Sequence, residues 1–172
     1  KQHLELTRDI AQKFNNDFKT DLFPIPKPLI LGEATRVMSL RDGSKKMSKS
    51  DSSNYSVIML NDDADTISQK IRKAKTDPLP LPNSLDEAKK RPEALNLMTI
   101  FAAIQDKKIT EILNEYGGKE FSNFKKDLSD LLINKISPIS REITKLMDDK
   151  PYLDKIMSAG KEKAIETADP VL

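Results

Sequence analysis

Residues 39–54, SLRDGSKKMSKSDSSN, contain four lysine or arginine side chains and six serines around a single methionine, Met47. The stretch has no run of apolar residues to bury, and Asp42 and Gly43 favour a turn that folds the chain back on itself. Ammonium groups, hydroxyls and backbone N–H groups are donors that can hold phosphate oxygens. The stretch therefore predicts an exposed phosphate-binding loop, and the alternative from composition alone is a solvated, lysine-rich loop.

The composition is typical of a helical globular protein. The chain has 172 residues, of which 33% are charged and 37% hydrophobic, with 10 prolines and 5 glycines. This length suits one domain, or a small domain attached to part of another. No apolar run approaches the length needed to cross a bilayer, so we expect no membrane partner and a cytoplasmic location.

Thiol chemistry and the common metal sites are excluded by the residue counts. The chain has no cysteine and a single histidine, His3, so it lacks thiolate and multi-histidine metal sites. We assign no metal-ligating residue and interpret His3 as a structural residue near a helix N-terminus. The net charge is +2, but basic residues cluster at 45–49, 70–75 and 89–91, which permits contact with a polyanion.

The first 62 residues combine one helix with extended segments. Apolar residues recur at steps of three and four in residues 3–18, which predicts an amphipathic helix. Its stripe comprises Leu4, Thr7, Ala11, Phe14 and Phe18. Prolines 24, 26 and 28 forbid helix after it, and we predict short strands at 29–31, 35–39 and 55–62. The chain starts inside the first helical period, so we expect it to be part of a longer protein.

The remaining residues are predicted to be helical. Asn61 and Asp62 are candidate caps for a helix with an inner and an outer face. Its inner residues are Ile67, Ile71 and Ala74, and its outer residues are Gln69, Lys70, Arg72 and Lys73. A proline-rich connection follows at 76–92, and then amphipathic segments at 95–105, 109–116, 121–146 and 152–164. Pro138 should kink or divide the third of these, and the whole is predicted to be mainly α with a few short strands.

Several stretches resemble bacterial tryptophanyl-tRNA synthetases, a family of class I aminoacyl-tRNA synthetases. KMSKS at 46–50 matches the second signature motif of the class. TRVMSL at 35–40, IMLNDDADTISQKIRKAKTD at 58–77 and RPEALNLMTIFAAI at 91–104 resemble the same family. The resemblance extends over nearly the whole chain and weakens in the proline-rich connection and the last helices.

The resemblance implies a fold and a set of site residues. Residues 1–60 would be the end of a Rossmann-like nucleotide-binding domain with the mobile loop, and residues 61–172 a helical bundle on the anticodon side of the tRNA. Lys46 and Lys49 would be catalytic. The ATP-binding residues would be Val37, Lys46, Met47, Ser48, Lys49 and Ser50.

The resemblance also implies a reaction and its partners. The family joins tryptophan to ATP, releases pyrophosphate, and transfers the tryptophanyl group to tRNA(Trp); Mg²⁺ is expected with the ATP, and the complete protein is expected to be a homodimer. The family's first signature, with its two histidines, is absent here, so we expect this chain alone to be inactive. The alternatives are a tyrosyl-tRNA synthetase relative and a non-catalytic helical module that binds nucleic-acid backbone.

Overall fold

The structure is a computed structural model that describes residues 2–29 and 34–170. Its regular structure is almost entirely helical, which confirms the prediction of a mainly α protein. The helices are α1 (Gln2–Asp17), α2 (Ala64–Arg72), α3 (Leu85–Lys89), α4 (Pro92–Gln105), α5 (Ile109–Tyr116), α6 (Phe121–Asp148) and α7 (Lys150–Ala168). None of these helices is long and apolar enough to cross a membrane.

The hydrophobic core lies among α2, α4, α5 and α6. Helix α2 packs along α6, and α4 contacts α3, α5 and α6. The aromatic rings of Phe101, Tyr116 and Phe124 meet at its centre, with centroids 5.1–5.3 Å apart. Such pairs add about 0.5–1.5 kcal/mol each beyond the burial of their area. The predicted helical bundle is therefore present, with Phe101, Tyr116, Phe121 and Phe124 in its core, whereas Tyr152 of the last helix is 47% exposed.

The predicted strands at 35–39 and 55–62 are wrong. Within the described ranges, only an isolated antiparallel bridge between Met38 and Lys46 has β geometry. Side chains satisfy the backbone of the second segment locally, because Ser53 accepts a hydrogen bond from the N–H of Tyr55 and Asp62 accepts one from Met59. A short 3-10 helix, Asn54–Ser56, forms instead. The third predicted strand, at 29–31, lies mostly outside the described residues.

Two details of α2 differ from the prediction. The helix is capped by Asp63, whose carboxylate accepts a hydrogen bond from the N–H of Thr66 at 2.7 Å, and not by Asn61 or Asp62. Lys70, placed on the outer face by the sequence pattern, is 5% exposed. Its ammonium group pairs with Asp62, so the helix buries a charged side chain together with a partner. The predicted inner residues Ile67, Ile71 and Ala74 are buried.

Helix α6 continues through Pro138 for 28 residues. Proline removes a single backbone donor and is exposed at this position, so the sequence does not divide the helix here. The predicted helices α1 and α7 form. Within the described structure the apolar stripe of α7 is largely exposed, and that of α1 is only partly covered, with Ala11 buried and Phe14 half-buried. Phe18 is 68% exposed and Met157 72% exposed. Periodicity therefore predicted these helices correctly without predicting their burial.

Candidate phosphate-binding loop

The KMSKS motif begins on one arm of a short hairpin. The N–H of Ser39 donates to the carbonyl of Lys45 at 2.8 Å, and the N–H of Met47 donates to the carbonyl of Val37 at 3.0 Å. Between these two bonds, Met38 lies opposite Lys46. The pairing fixes the backbone of Lys46 and Met47, so the first part of the motif is not a free loop.

Residues Asp42 to Lys45 form the turn of this hairpin. The N–H of Lys45 donates to the carbonyl of Asp42 at 3.1 Å. The Asp42 carboxylate accepts hydrogen bonds from the N–H of Ser44 at 3.0 Å and from its hydroxyl at 2.6 Å. These bonds favour the charged carboxylate, and the Ser44 hydroxyl is the main cause of the lowered pKa of Asp42. The turn is thus stabilised locally.

Gly43 brings this turn against the start of α4. A Cβ atom at this position would lie 2.5 Å from the carbonyl carbon of Pro92 and 2.6 Å from the backbone nitrogen of Glu93. Backbone atoms cannot move aside as a flexible side chain can, so only glycine fits here without a displacement. Glu93 in turn pairs with Lys75 at 2.9 Å, and this hydrogen bond is the main cause of the lowered pKa of Glu93.

The two ends of the loop are joined where Leu40 meets Ser56. The N–H of Leu40 donates to the carbonyl of Ser56 at 3.0 Å, and the carbonyl of Leu40 accepts from the N–H of Lys75 at 2.7 Å. Leu40 is 2% exposed and Ser56 is fully buried. These contacts join the loop to the residues that follow α2. Residues 41–55 therefore project from a base formed by Leu40, Ser56 and Lys75.

Residues 48–53 are held by short-range bonds. The hydroxyls of Ser48 and Ser50 lie 2.9 Å apart, and the N–H of Asp51 reaches the carbonyl of Ser48 at 3.4 Å. The N–H of Ser53 donates to the Asp51 carboxylate at 2.9 Å. A phosphate oxygen can replace the hydrogen bond between these two exposed hydroxyls at little cost, because each hydroxyl can rotate towards a new acceptor.

The two lysines proposed as catalytic are both exposed. Neither forms an ion pair within residues 2–29 and 34–170, whereas the neighbouring Lys45 lies 3.5 Å from Asp42. Lys46 lines a cavity of about 780 Å³. The other lining residues are Gln2, Leu4, Pro28, Leu29, Thr35 and Arg36. Lys46 and Arg36 give this cavity a cationic wall suited to an anion.

Val37 and Met47, two of the predicted ATP-binding residues, are half-buried beside the core. Both line an apolar cavity of about 160 Å³ whose other walls include Ile58 and Ile104. The carbonyl of Val37 is occupied by the N–H of Met47. All six predicted site residues therefore belong to one hairpin and its extension, and their contact with a nucleotide stays a prediction.

Asn96, which the sequence pattern did not single out, holds the arm of the hairpin opposite Lys46. Its side-chain oxygen accepts a hydrogen bond from the N–H of Met38 at 2.9 Å, and its amide donates to the carbonyl of Met38 at 2.9 Å. The same amide reaches the carbonyl of Ser39 at 3.4 Å. A signal was present in the sequence, because Asn96 interrupts an apolar run within α4 and a buried amide needs partners.

The residues that the structure describes form no cluster of three or more metal ligands, although Mg²⁺ bound with ATP needs only one or two carboxylates beside the phosphates. Mg²⁺ requires oxygen ligands in octahedral geometry. Asp42 and Asp51, the acidic residues of the loop, are already engaged with serine residues of the loop itself.

A family model for class I tRNA synthetases (W and Y) matches residues 1–136, which include the hairpin and helices α1 to α5. The chain therefore belongs to the class I tRNA synthetases of the W and Y family. It is 53% identical to the tryptophan–tRNA ligase of Caulobacter vibrioides, over the whole chain and 50% of that protein. It is 51% identical to the Rhizobium meliloti tryptophan–tRNA ligase, over the whole chain and 54% of that protein.

Solved structures agree with these relatives. The tryptophanyl-tRNA synthetase of Mycoplasma pneumoniae superposes with a TM-score of 0.80 at 28% identity, over 98% of this chain and 50% of that one. The Campylobacter jejuni enzyme complexed with ADP and tryptophan gives a TM-score of 0.64 at 26% identity, with the same coverage. The resemblance to tryptophanyl-tRNA synthetases is confirmed, and the chain spans about half the length of the curated relatives it matches.

Proposed function

We propose that this chain is the C-terminal half of a tryptophan–tRNA ligase and that its KMSKS loop acts on ATP. In the reaction, a carboxylate oxygen of tryptophan attacks the α-phosphorus of ATP and the bond to the bridging oxygen of pyrophosphate breaks. The tryptophanyl group then passes from the adenylate to the 3′ end of tRNA(Trp). Identity of 53% to a tryptophan–tRNA ligase supports the choice of tryptophan over tyrosine.

One observation carries the role of the loop. Lys46 and Lys49 are exposed ammonium groups without ion-pair partners in the described residues. The base of their loop and its hairpin are held by backbone hydrogen bonds. Negative charge grows on the pyrophosphate as the bond to the α-phosphorus breaks. Cations positioned at that charge stabilise the transition state more than bound ATP, which is the condition for raising the rate.

The remaining predicted site residues would bind and orient the nucleotide. The hydroxyls of Ser48 and Ser50 are 2.9 Å apart and exposed, and would donate to phosphate or ribose oxygens. Met47 would pack beside adenine, as its apolar surroundings favour, and the backbone of Val37 would contact the adenine. Mg²⁺, if it accompanies ATP, would be held by the phosphates and by residues outside this set, since the loop carboxylates serve the loop itself.

The domain division follows the same proposal. Residues 1–60 would complete a Rossmann-like catalytic domain, and the helices from α2 onward would face the anticodon side of tRNA(Trp). The relatives' greater length is consistent with a catalytic site completed by residues beyond this chain. Homodimerisation of the complete protein and its cytoplasmic location stay predictions from the resemblance.

The test is amino-acid-dependent pyrophosphate exchange by the complete protein that contains this chain. We expect exchange with tryptophan and at least about 100-fold less with tyrosine, because a site that binds one side chain leaves polar groups unpaired with the other. Exchange that depends on tyrosine would instead identify a tyrosyl enzyme. A second measurement is the hydrogen exchange of the amides of residues 44–54 with ATP and without tRNA. If ATP leaves it unchanged and no amino acid supports pyrophosphate exchange, the loop is a nucleic-acid contact.

A further inference from the structure

The side chain of Asn96 connects helix α4 to the hairpin that carries Lys46. It binds both backbone groups of Met38 at 2.9 Å, and Met38 is the residue opposite Lys46. Resting on the function proposed above, we infer that Asn96 is a positioning residue for Lys46, acting through the backbone of Met38. It does not touch the nucleotide in this role, and it sets where the Lys46 ammonium group projects.

The chemistry of the Asn96 side chain suits this task. It is 5% exposed, and its neighbours in α4 include Leu97 and Met98, which are 1% and 0% exposed. A buried amide is costly unless both its oxygen and its nitrogen are paired. The N–H of Met38 pairs with the side-chain oxygen of Asn96, and the carbonyl of Met38 pairs with its amide nitrogen. Together these two bonds fix the register of the hairpin against α4. A slip of the hairpin by one residue would break both bonds.

A second contact lies at the other end of the hairpin. Gly43 packs against the backbone of Pro92 and Glu93 at distances that leave no room for a Cβ atom. The hairpin therefore rests on the first two turns of α4 at two points, its paired strand at Asn96 and its turn at Pro92. Two separated contacts restrict rotation of the hairpin more than either one alone would, so the orientation of Lys46 follows that of α4.

Among the residues that the structure describes, Lys49 has no equivalent connection. It follows the last backbone bond of the hairpin, which is made by Met47, and its neighbours Ser48 and Ser50 bond to each other. The two lysines are thus positioned by different means: Lys46 by α4 through Met38, and Lys49 by the outer loop alone. A change at Asn96 should therefore act through Lys46 and leave the contribution of Lys49 intact.

A double-mutant cycle in the complete protein tests this inference. Asn96→Ala and Asn96→Asp are made alone and combined with Lys46→Ala or Lys49→Ala; the aspartate keeps the shape but loses the donor and faces two carbonyls. We expect each Asn96 change to lower kcat of tryptophan-dependent pyrophosphate exchange by about 10- to 100-fold, as misplacement by about an ångström does. The KM for ATP should stay within about threefold.

The combinations decide between positioning and a general structural role. Adding Asn96→Ala to Lys46→Ala should cost less than about twofold, because a lysine that is absent cannot be misplaced. Adding Asn96→Ala to Lys49→Ala should lower kcat by the same factor as Asn96→Ala does in the wild-type protein. Equal additional losses in both backgrounds would overturn the inference, as would a normal kcat in folded Asn96 variants.

Two further measurements keep the outcome clear. Asn114→Ala, at an exposed asparagine of α5, is the matched control and should leave kcat unchanged, while the amides of Met38 and Met47 should exchange faster only in the Asn96 variants. If the Asn96 variants fail to fold, Gly43→Ala tests the second contact and should show the same coupling to Lys46. A wild-type protein that does not activate tryptophan refutes the proposed function, whereas an active wild type with unaffected variants refutes the positioning role alone.

Discussion

The ammonium group of Lys70 lies 2.5 Å from the carboxylate of Asp62, in a pair whose side chains are only 6% and 12% exposed. The same carboxylate oxygen accepts a hydrogen bond from the N–H of Met59 at 2.8 Å. The pair therefore ties α2 to the segment that returns from the KMSKS loop. Because both side chains are largely shielded from solvent, removal of one of them leaves the charge of the other buried without a partner.

Lys70→Met should destabilise the protein strongly. Removing one member of a buried pair typically costs about 3–5 kcal/mol, because the remaining charge is left unpaired. The free energy of unfolding in urea measures the loss. Lys126→Met, at an exposed lysine of α6, is the control and should change stability by less than about 0.5 kcal/mol. Equal stability of the two variants would show that the Lys70 pair contributes nothing.

Acid should weaken the contact between Arg91 and Asp77. Arg91 donates two hydrogen bonds to the Asp77 carboxylate, at 2.6 and 2.9 Å, and these chiefly cause the lowered pKa of Asp77. A carboxyl with a lowered folded-state pKa adds stability above its unfolded value, near about 4, and loses it as the pH falls through the folded value. The contact should therefore stabilise the protein at neutral pH and not in strong acid.

Thermal unfolding of wild type and Asp77→Asn checks this pH dependence. At pH near 7 the variant should be less stable by about 1.5 kcal/mol, the contribution of a hydrogen bond to a charged group. The difference should shrink as the pH falls below about 4, where the Asp77 carboxyl of the unfolded chain begins to protonate, and should vanish once the pH has passed the lower folded-state pKa. A difference that stays constant down to strong acid would contradict the ionic origin of the contact.

Lys46→Ala and Lys49→Ala should each slow adenylate formation in the complete protein. Loss of one positioned donor to developing charge costs on the order of 10² to 10³ in rate, with a smaller effect on ground-state ATP binding. Single-turnover formation of the adenylate at saturating ATP and tryptophan measures the effect. Lys45→Ala is the matched control, because neighbouring side chains on a paired segment point to opposite sides. Near-normal rates in both variants would refute the catalytic role.

The outer part of the loop should be the most mobile interior segment in the absence of nucleotide. In the described ranges 2–29 and 34–170, the backbone hydrogen bonds of residues 48–53 stay within the loop or reach only the 3-10 helix that follows it, whereas the N–H of Met47 donates to Val37 in the hairpin at 3.0 Å. Amide exchange should therefore be fast at Lys49 and markedly slower at Met47. Exchange at Lys49 as slow as at Leu128 in the core of α6 would contradict this prediction.

The 172-residue chain by itself should show no tryptophan-dependent pyrophosphate exchange. It contains one histidine, His3, whereas the family's first signature has two, and charge without positioned substrates gives little catalysis. The same assay on the complete protein is the positive control. Exchange by the isolated chain above the level without tryptophan would show that the site is contained within it.

Local patterns predicted most of the helices because a helix depends on neighbours three and four residues apart. The period of apolar residues located α1, α2, α4, α5, α6 and α7. The apolar, β-prone run at 55–62 gave a wrong prediction of a strand, since β-prone residues form a strand only beside another strand. Here Ser53 and Asp62 satisfied the nearby backbone first. The five-residue helix α3 was missed within the proline-rich connection, where Ser84 caps it.

The sequence alone determined the helical class, the identity of the loop and its two lysines, because these depend on composition, period and a short contiguous motif. Only the tertiary structure decided what holds the loop. Met38 and Asn96 are 58 residues apart, and no pattern along the chain brings them together. The same holds for Gly43 beside Pro92, because such contacts arise when helices pack and backbone groups find partners. The motif therefore names the lysines that we propose to act on a phosphate, and the packing of α4 fixes the hairpin that carries Lys46.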